Sequence, residues 1–193
     1  HDVMALMRDH FEGTPYDMTR GIDAGPYGSP LRLRDLSFSV EGRKYMWERP
    51  ISTQQAGFVV VTQSRNHLPD AIGGVTWFTP DEASTSCFTP LYCAIDALPQ
   101  SYVTGDYQKF SWDSAWWVTN LVSNLAYDRW SRVYPDIRKA QVDREGALLK
   151  MQPVVEETAT KLAADDPTLT RAFLTTYSVS TAEAGFRRWR SGG

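Results

Sequence analysis

Apolar residues at Val3, Leu6, Met7 and Phe11 recur at helical spacing, and Gly13 supplies a stop, so a helix is predicted from Val3 to Phe11. The pattern then lapses. Gly13 to Pro30 is rich in glycine, proline and aspartate and reads as a long ordered loop. Gly57 to Gln63 is a nearly unbroken β-branched apolar run, which predicts a strand buried on both faces. Arg65 to Asp70 reads as a turn and Ala71 to Thr79 as the antiparallel return. Ser84 to Ile95 reads as a third strand, interrupted near Pro90.

The character changes at Asp113. Ser111 or Asp113 is placed to cap a helix running through Trp116, Trp117, Asn120, Leu121, Asn124, Leu125 and Tyr127, ended by Pro135. A second long helix is expected from Asp136 to about Ala164, with Pro153 as a kink or break. Two more are expected, from Thr168 to about Tyr177 and from Ser180 to Arg190. Strands followed by helices, without βαβ alternation, give an α+β class: an antiparallel sheet with a C-terminal helical layer. Residues 1–110 hold the loop and strands, and 111–190 the helical segment. Gly21, Gly25 and the Gly73-Gly74 pair match neither a phosphate-binding loop nor a dinucleotide fingerprint.

Composition narrows the class further. Of 193 residues, 42% are hydrophobic and 22% charged, which suits a packed core. The net charge of −3 argues against a nucleic-acid partner. No apolar run approaches the ~20 residues that span a bilayer, so no membrane partner is expected. The opening His1-Asp2-Val3-Met4 shows neither an initiator methionine nor a signal peptide, and the expectation is a truncated chain from a cytoplasmic protein. Cys87 and Cys93 fit no zinc pattern, so no metal or other cofactor is expected. They read as one or two buried thiols, with a bridge or a reactive thiol as the alternative.

Three clusters carry candidate chemistry. Arg8 to Asp17 concentrates ionisable groups beside the loop; it is either a helix terminus with caps and ion pairs or a pocket wall. His10 and Glu12 lie two apart, which does not match a metalloprotease helix. Gln63-Ser64-Arg65-Asn66 closes a predicted strand. There Arg65 suits a peptide carboxylate and Asn66 a developing oxyanion, so both are candidate substrate-binding residues, with an exposed turn as the alternative. Asn120 and Asn124 share a helix face, which either packs in the core or borders the site. Spacing does not pair Cys87 with His10 or His67. Arg187, Arg188 and Arg190 read as a solvated amphipathic helix.

Several runs together resemble one family. They are Arg8 to Thr14 with Tyr16-Asp17-Met18, Ala24 to Pro30, Arg49-Pro50-Ile51-Ser52 and Val60 to Pro69. Gly73 to Phe78, Ala115 to Asn120 with Asn124, and Asp136-Ile137-Arg138 complete the set. In this order they resemble the dipeptidase A family of bacterial peptidases, related to secernins. The resemblance implies an N-terminal-nucleophile hydrolase of αββα layering that cleaves dipeptides through a thioester, without metal. The nucleophile would be an N-terminal cysteine with its own α-amine as base. Residue 1 is His1, and neither Cys87 nor Cys93 stands in the nucleophile's position.

The chain is therefore expected to be the C-terminal part of a cysteine-type dipeptidase, with no catalytic residue of its own and inactive alone. An exposed sheet edge should favour self-association into a homo-oligomer. The alternatives are a related amidase acting on linear acyl amides and a non-catalytic peptide-binding module.

Overall fold

The computed structural model describes residues 2–32, 37–46 and 48–191. It is α+β, as expected. The centre is a three-stranded antiparallel sheet of β3 (Phe58–Ser64), β4 (Gly74–Pro80) and β5 (Thr89–Tyr92), with β4 in the middle. A separate hairpin pairs β1 (Phe38–Val40) with β2 (Arg43–Tyr45). Its two-residue turn, Glu41-Gly42, has φ of 48° and 77°. Positive φ at both residues matches the twist of the flanking strands. The sequence pattern had not revealed this hairpin.

Three helices form the layer: α4 (Ala115–Asp128), α5 (Trp130–Asp165) and α6 (Pro167–Ser191). Three short helices join the elements: α1 (Asp2–Leu6), α2 (Asp70–Gly73) and α3 (Gln100–Val103). The main core forms where β4 and β5 meet α5 and α6. Val75, Trp77, Phe88, Tyr92, Val155, Ala159 and Leu174 are buried there. A second core joins Ala126, Tyr127, Trp130 and Ile137.

Several expectations need correction. The first helix ends at Leu6 rather than Phe11. Asp9 and Glu12 side chains capture the Phe11 and His10 amides at 2.8 and 2.7 Å, and Phe11 takes φ 64°. Side-chain acceptors here outcompete the helix ladder. Strand β3 is buried on one face only: Val59 is buried while Phe58 and Val60 are exposed. It is an edge strand, and on its outer face the Phe58 ring stacks on Phe78, which in turn meets Tyr102 of the helix Gln100–Val103. Strand β5 runs through Pro90, because on the outer edge a missing N–H breaks no ladder bond.

Pro135 and Pro153 both lie inside α5 and end nothing. Both are exposed, while Ile137, Gln141, Glu145, Gln152, Val155 and Ala159 form one buried stripe along the helix. Proline on the solvent face falls where hydrogen bonds already lengthen as a helix curves around a core. The two last expected helices are one, α6, because Thr170, Leu174, Ser178 and Ala182 extend a single buried stripe at four-residue spacing. Its small polar members disguise it as a break.

Gly73 closes the β3–β4 connection. Its N–H and carbonyl face Pro69 O and Arg65 N at 2.8 and 3.0 Å. A Cβ there would lie 2.7 Å from the Arg65 carbonyl oxygen.

Candidate functional site

The connection from Asp81 to Phe88 is irregular yet wholly buried. A buried loop must find partners for its backbone polar groups. Here side chains supply them. Arg8 Nε donates to Ala83 O at 2.7 Å, and Gln141 Nε2 donates to Ser84 O and Ser86 O at 2.8 and 2.7 Å. Trp189 Nε1 donates to Thr85 O at 3.1 Å. Glu145 accepts from Phe88 N at 2.8 Å and from Arg8 Nη1 at 2.9 Å. Four donors converge on the Glu82 carboxylate: Ser84 N at 2.6 Å, Thr85 N at 2.8 Å, Ser52 Oγ at 3.2 Å and the Thr85 hydroxyl. Ser84 Oγ extends this web to Ser52 Oγ at 2.6 Å and to His10 Nε2 at 3.4 Å, whose Nδ1 faces Glu12 at 3.1 Å.

Asp81, at the mouth of the same loop, differs. It ends β4 with φ 62°, a strained value for a non-glycine residue. Its N–H donates to Gly57 O at 3.0 Å. Oδ1 accepts from Asn120 Nδ2 at 3.2 Å, while Oδ2 is buried with no hydrogen-bond partner. Burial pushes the Asp81 carboxyl up to about 7; the Asn120 bond opposes this, the neighbouring Glu82 charge adds to it, and the Glu82 amide and Ser123 hydroxyl oppose it to a smaller extent. Such a carboxyl changes protonation near neutral pH, the property that acid–base chemistry uses. Ser123 Oγ and Tyr127 Oη, on the following turns of α4, are also buried without a partner. Burial holds the Tyr127 phenol well above its ordinary value, with Glu82 and Asp81 adding to the effect.

From Asp81 a chain of amides runs outward. Asn124 Nδ2 donates to Asn120 Oδ1 at 3.1 Å and to Asn120 O at 2.8 Å. Gln54 Nε2 reaches Asn124 Oδ1 at 3.5 Å. Helix α4 sets this geometry: Ser114 caps it by accepting from Trp117 N, and Asn120 and Asn124 then fall on one face. The face singled out from the sequence thus borders a polar site. Asp81 was missed, because nothing in Pro80-Asp81-Glu82 as a string reveals burial or positive φ.

Arg65 and Asn66 lie elsewhere. The β3–β4 register pairs Ser64 with Gly74 and Phe58 with Pro80, so Arg65 and Asp81 sit at opposite ends of the ladder. Six residue steps separate those ends by about 20 Å. The Arg65 guanidinium pairs with Glu156 and donates to Gly73 O and Ile72 O at 3.2 and 3.0 Å. Asn66 is exposed. Arg8 and His10 are buried in the loop web, and Arg8, Asp9 and Glu12 also line an open cleft with Tyr134 and Arg138.

Cys87 and Cys93 are both free. Cys87 is buried, which raises its thiol pKa, and Glu145 reinforces the shift. Cys93 is exposed, so one of the two thiols is buried, within the expectation of one or two; Cys93 follows the last residue of edge strand β5. Among the described residues, no group of three His, Cys, Asp or Glu side chains is arranged to hold a metal. No described helix is long and apolar enough to cross a membrane.

Comparison with known proteins fits this geometry into a family. The model of peptidase family C69 matches residues 1–143. The chain belongs to peptidase family C69. That bears out the resemblance to the dipeptidase A group, and the C69 match includes Asp81, Asn120 and Asn124. A probable dipeptidase B of Lactococcus lactis subsp. lactis (strain IL1403) is 29% identical over 190 residues. The alignment takes in 96% of this C69 chain and 34% of that relative, so the chain spans about a third of the relative's length.

Proposed function

We propose that this chain is part of a cysteine-type dipeptidase of the N-terminal-nucleophile class, and that it builds one wall of the active site around Asp81. The observation that carries the reading is the strained, buried Asp81, in a chain that belongs to a peptidase family. In this reading the nucleophilic thiol and its activating amine come from another segment of the protein. The thiolate adds to the peptide carbonyl, and the carbon–nitrogen bond breaks as the departing amine takes a proton. Water then cleaves the thioester. Cys87 is a poor nucleophile, since burial disfavours its thiolate.

The outer face of the sheet, exposed at Phe58 and Val60, is the surface that a second sheet of an αββα fold would cover. Arg65 anchors the turn after β3 to α5 in this reading, and the substrate role expected for Arg65 and Asn66 passes to the Asp81 end of the sheet.

The test is a hydrolysis assay of the full-length protein and of residues 1–193 alone, on dipeptides and on linear acyl amides. Turnover of dipeptides by the full-length protein only, unchanged by Cys87→Ser, is expected. Hydrolysis by residues 1–193 alone, abolished by Cys87→Ser, would overturn the proposal.

A further inference from the structure

Helix α6 carries a glycine in its interior, Gly185, although glycine disfavours helix there. An arginine of α5 accounts for it. A Cβ at position 185 would lie 2.7 Å from Arg144 Nη2 and 3.0 Å from Arg144 Nε, so the bare backbone makes room for the guanidinium. Arg144 Nη2 donates to Thr181 O on the same α6. Its Nε is buried and has no hydrogen-bond partner. The charge is also unmatched. Arg8 and Arg65 each pair with a glutamate of α5, whereas among the described residues no carboxylate lies within ion-pair distance of Arg144.

Arg144 lines a crevice with Cys87, Thr89, Tyr102, Thr119 and Trp189. Among the described residues, no acidic side chain forms part of its wall. Its volume is about 20 Å³, on a scale where one water needs ~10–15 Å³, so it takes one water or one monatomic ion. Ala115, the first residue of α4, belongs to the wall and brings the positive end of that helix's dipole to the crevice. Thr89 and Thr119 offer hydroxyl donors. Burial pushes the Tyr102 phenol up to about 12, with Thr89 and Arg144 opposing and Cys87 and Glu183 adding, so it too keeps its proton. Burial likewise keeps the Cys87 thiol neutral. The Glu183 carboxylate is engaged by Ser101 N at 2.9 Å. A water would satisfy Nε and leave the charge uncompensated, whereas an anion answers both needs.

We propose that this crevice binds one small monovalent inorganic anion of chloride size, with the Arg144 Nε–H as its main donor. Such a site is independent of the dipeptidase reading, and it is tested without hydrolysis.

The thermal midpoint of the full-length protein is to be measured in sodium chloride and in sodium gluconate at equal ionic strength. Gluconate is too large for the crevice. Chloride is expected to raise the midpoint along a saturating curve, by about 2 °C or more over gluconate. Arg144→Met should abolish the difference between the salts. Arg144→Lys keeps a charge and loses the Nε–H, and should need about tenfold more chloride for half the effect. Crystals of the wild type grown in sodium bromide locate the ion directly: an anomalous peak is expected within about 3.5 Å of Arg144 Nε. Equal midpoints in the two salts would overturn the proposal, even with bromide present in the crystal, since that would be binding at crystal concentration only. A chloride effect that survives unchanged in Arg144→Met, or no bromide at Nε, would overturn it as well. If Arg144→Met fails to fold, Arg144→Lys and the bromide map decide.

Discussion

Two buried carboxylates serve the same loop and are treated in opposite ways. Glu145 receives both guanidinium nitrogens of Arg8 and the Phe88 amide, at 2.5 to 2.9 Å. Asp81 receives one amide at 3.2 Å, keeps one oxygen without a partner and sits on a strained backbone. Both groups are nearly inaccessible, so burial alone does not separate them. Satisfaction does. A fully bonded buried ion holds the loop in place, whereas an under-bonded one stores a cost that a purely structural residue has no reason to carry. The contrast teaches where to look for chemistry among buried carboxylates.

The comparison breaks most visibly at the clamp. Arg8→Leu removes the cation that pairs with Glu145 in the buried loop web, and should cost about 3–5 kcal/mol in urea denaturation. A loss under about 1 kcal/mol would mean that the pair does not hold the loop.

Asp81→Asn should act in the other direction. The folded-state pKa of Asp81, about 7, lies above its ordinary 3.8. The wild-type fold therefore holds an extra proton between those values, and its stability contribution, full below the lower value, is lost as pH rises through the window. The slope is about 1.4 kcal/mol per pH unit at most. The substituted amide cannot titrate, so the variant should show a flat profile there and gain on the order of 2 kcal/mol over wild type near pH 7. Parallel urea midpoints from pH 4 to 8 would contradict the assignment.

The smallest effect on stability belongs to the outer sheet face. Phe58→Lys with Val60→Lys should move stability by less than about 0.5 kcal/mol. Residues 1–193 should self-associate through the exposed β3 edge, and the double variant should suppress this in light scattering. A wild-type chain that stays monomeric across concentration removes that expectation.

The parts of the fold legible in sequence were those carried by periodicity. The β3–β4 pairing, the position of α4 and its shared asparagine face all follow from spacing. What failed did so for identifiable reasons. Pro135 and Pro153 are strong local breakers, yet the buried stripe of α5 outweighs them. Ser178 reads as polar punctuation, but its hydroxyl meets Tyr92 N at 3.2 Å inside the core. Arg65 had the right chemistry for a carboxylate, and the one that the structure supplies is Glu156 from α5, distant in sequence. Asp81 carries no local signature: its burial, its strain and its bond from Asn120 all depend on β3, β4 and α4 assembling first.

Gly73 has a consequence for how the sheet can vary. The Arg65 carbonyl lies where a methyl group at position 73 would have to go. That oxygen belongs to the main chain and cannot swing aside as a side-chain tip can. Even alanine would force open the first rung of the β3–β4 zipper, next to the point where Arg65 is tethered to α5. The fastening of sheet to helix therefore depends on one missing carbon atom, at the end of the ladder opposite Asp81.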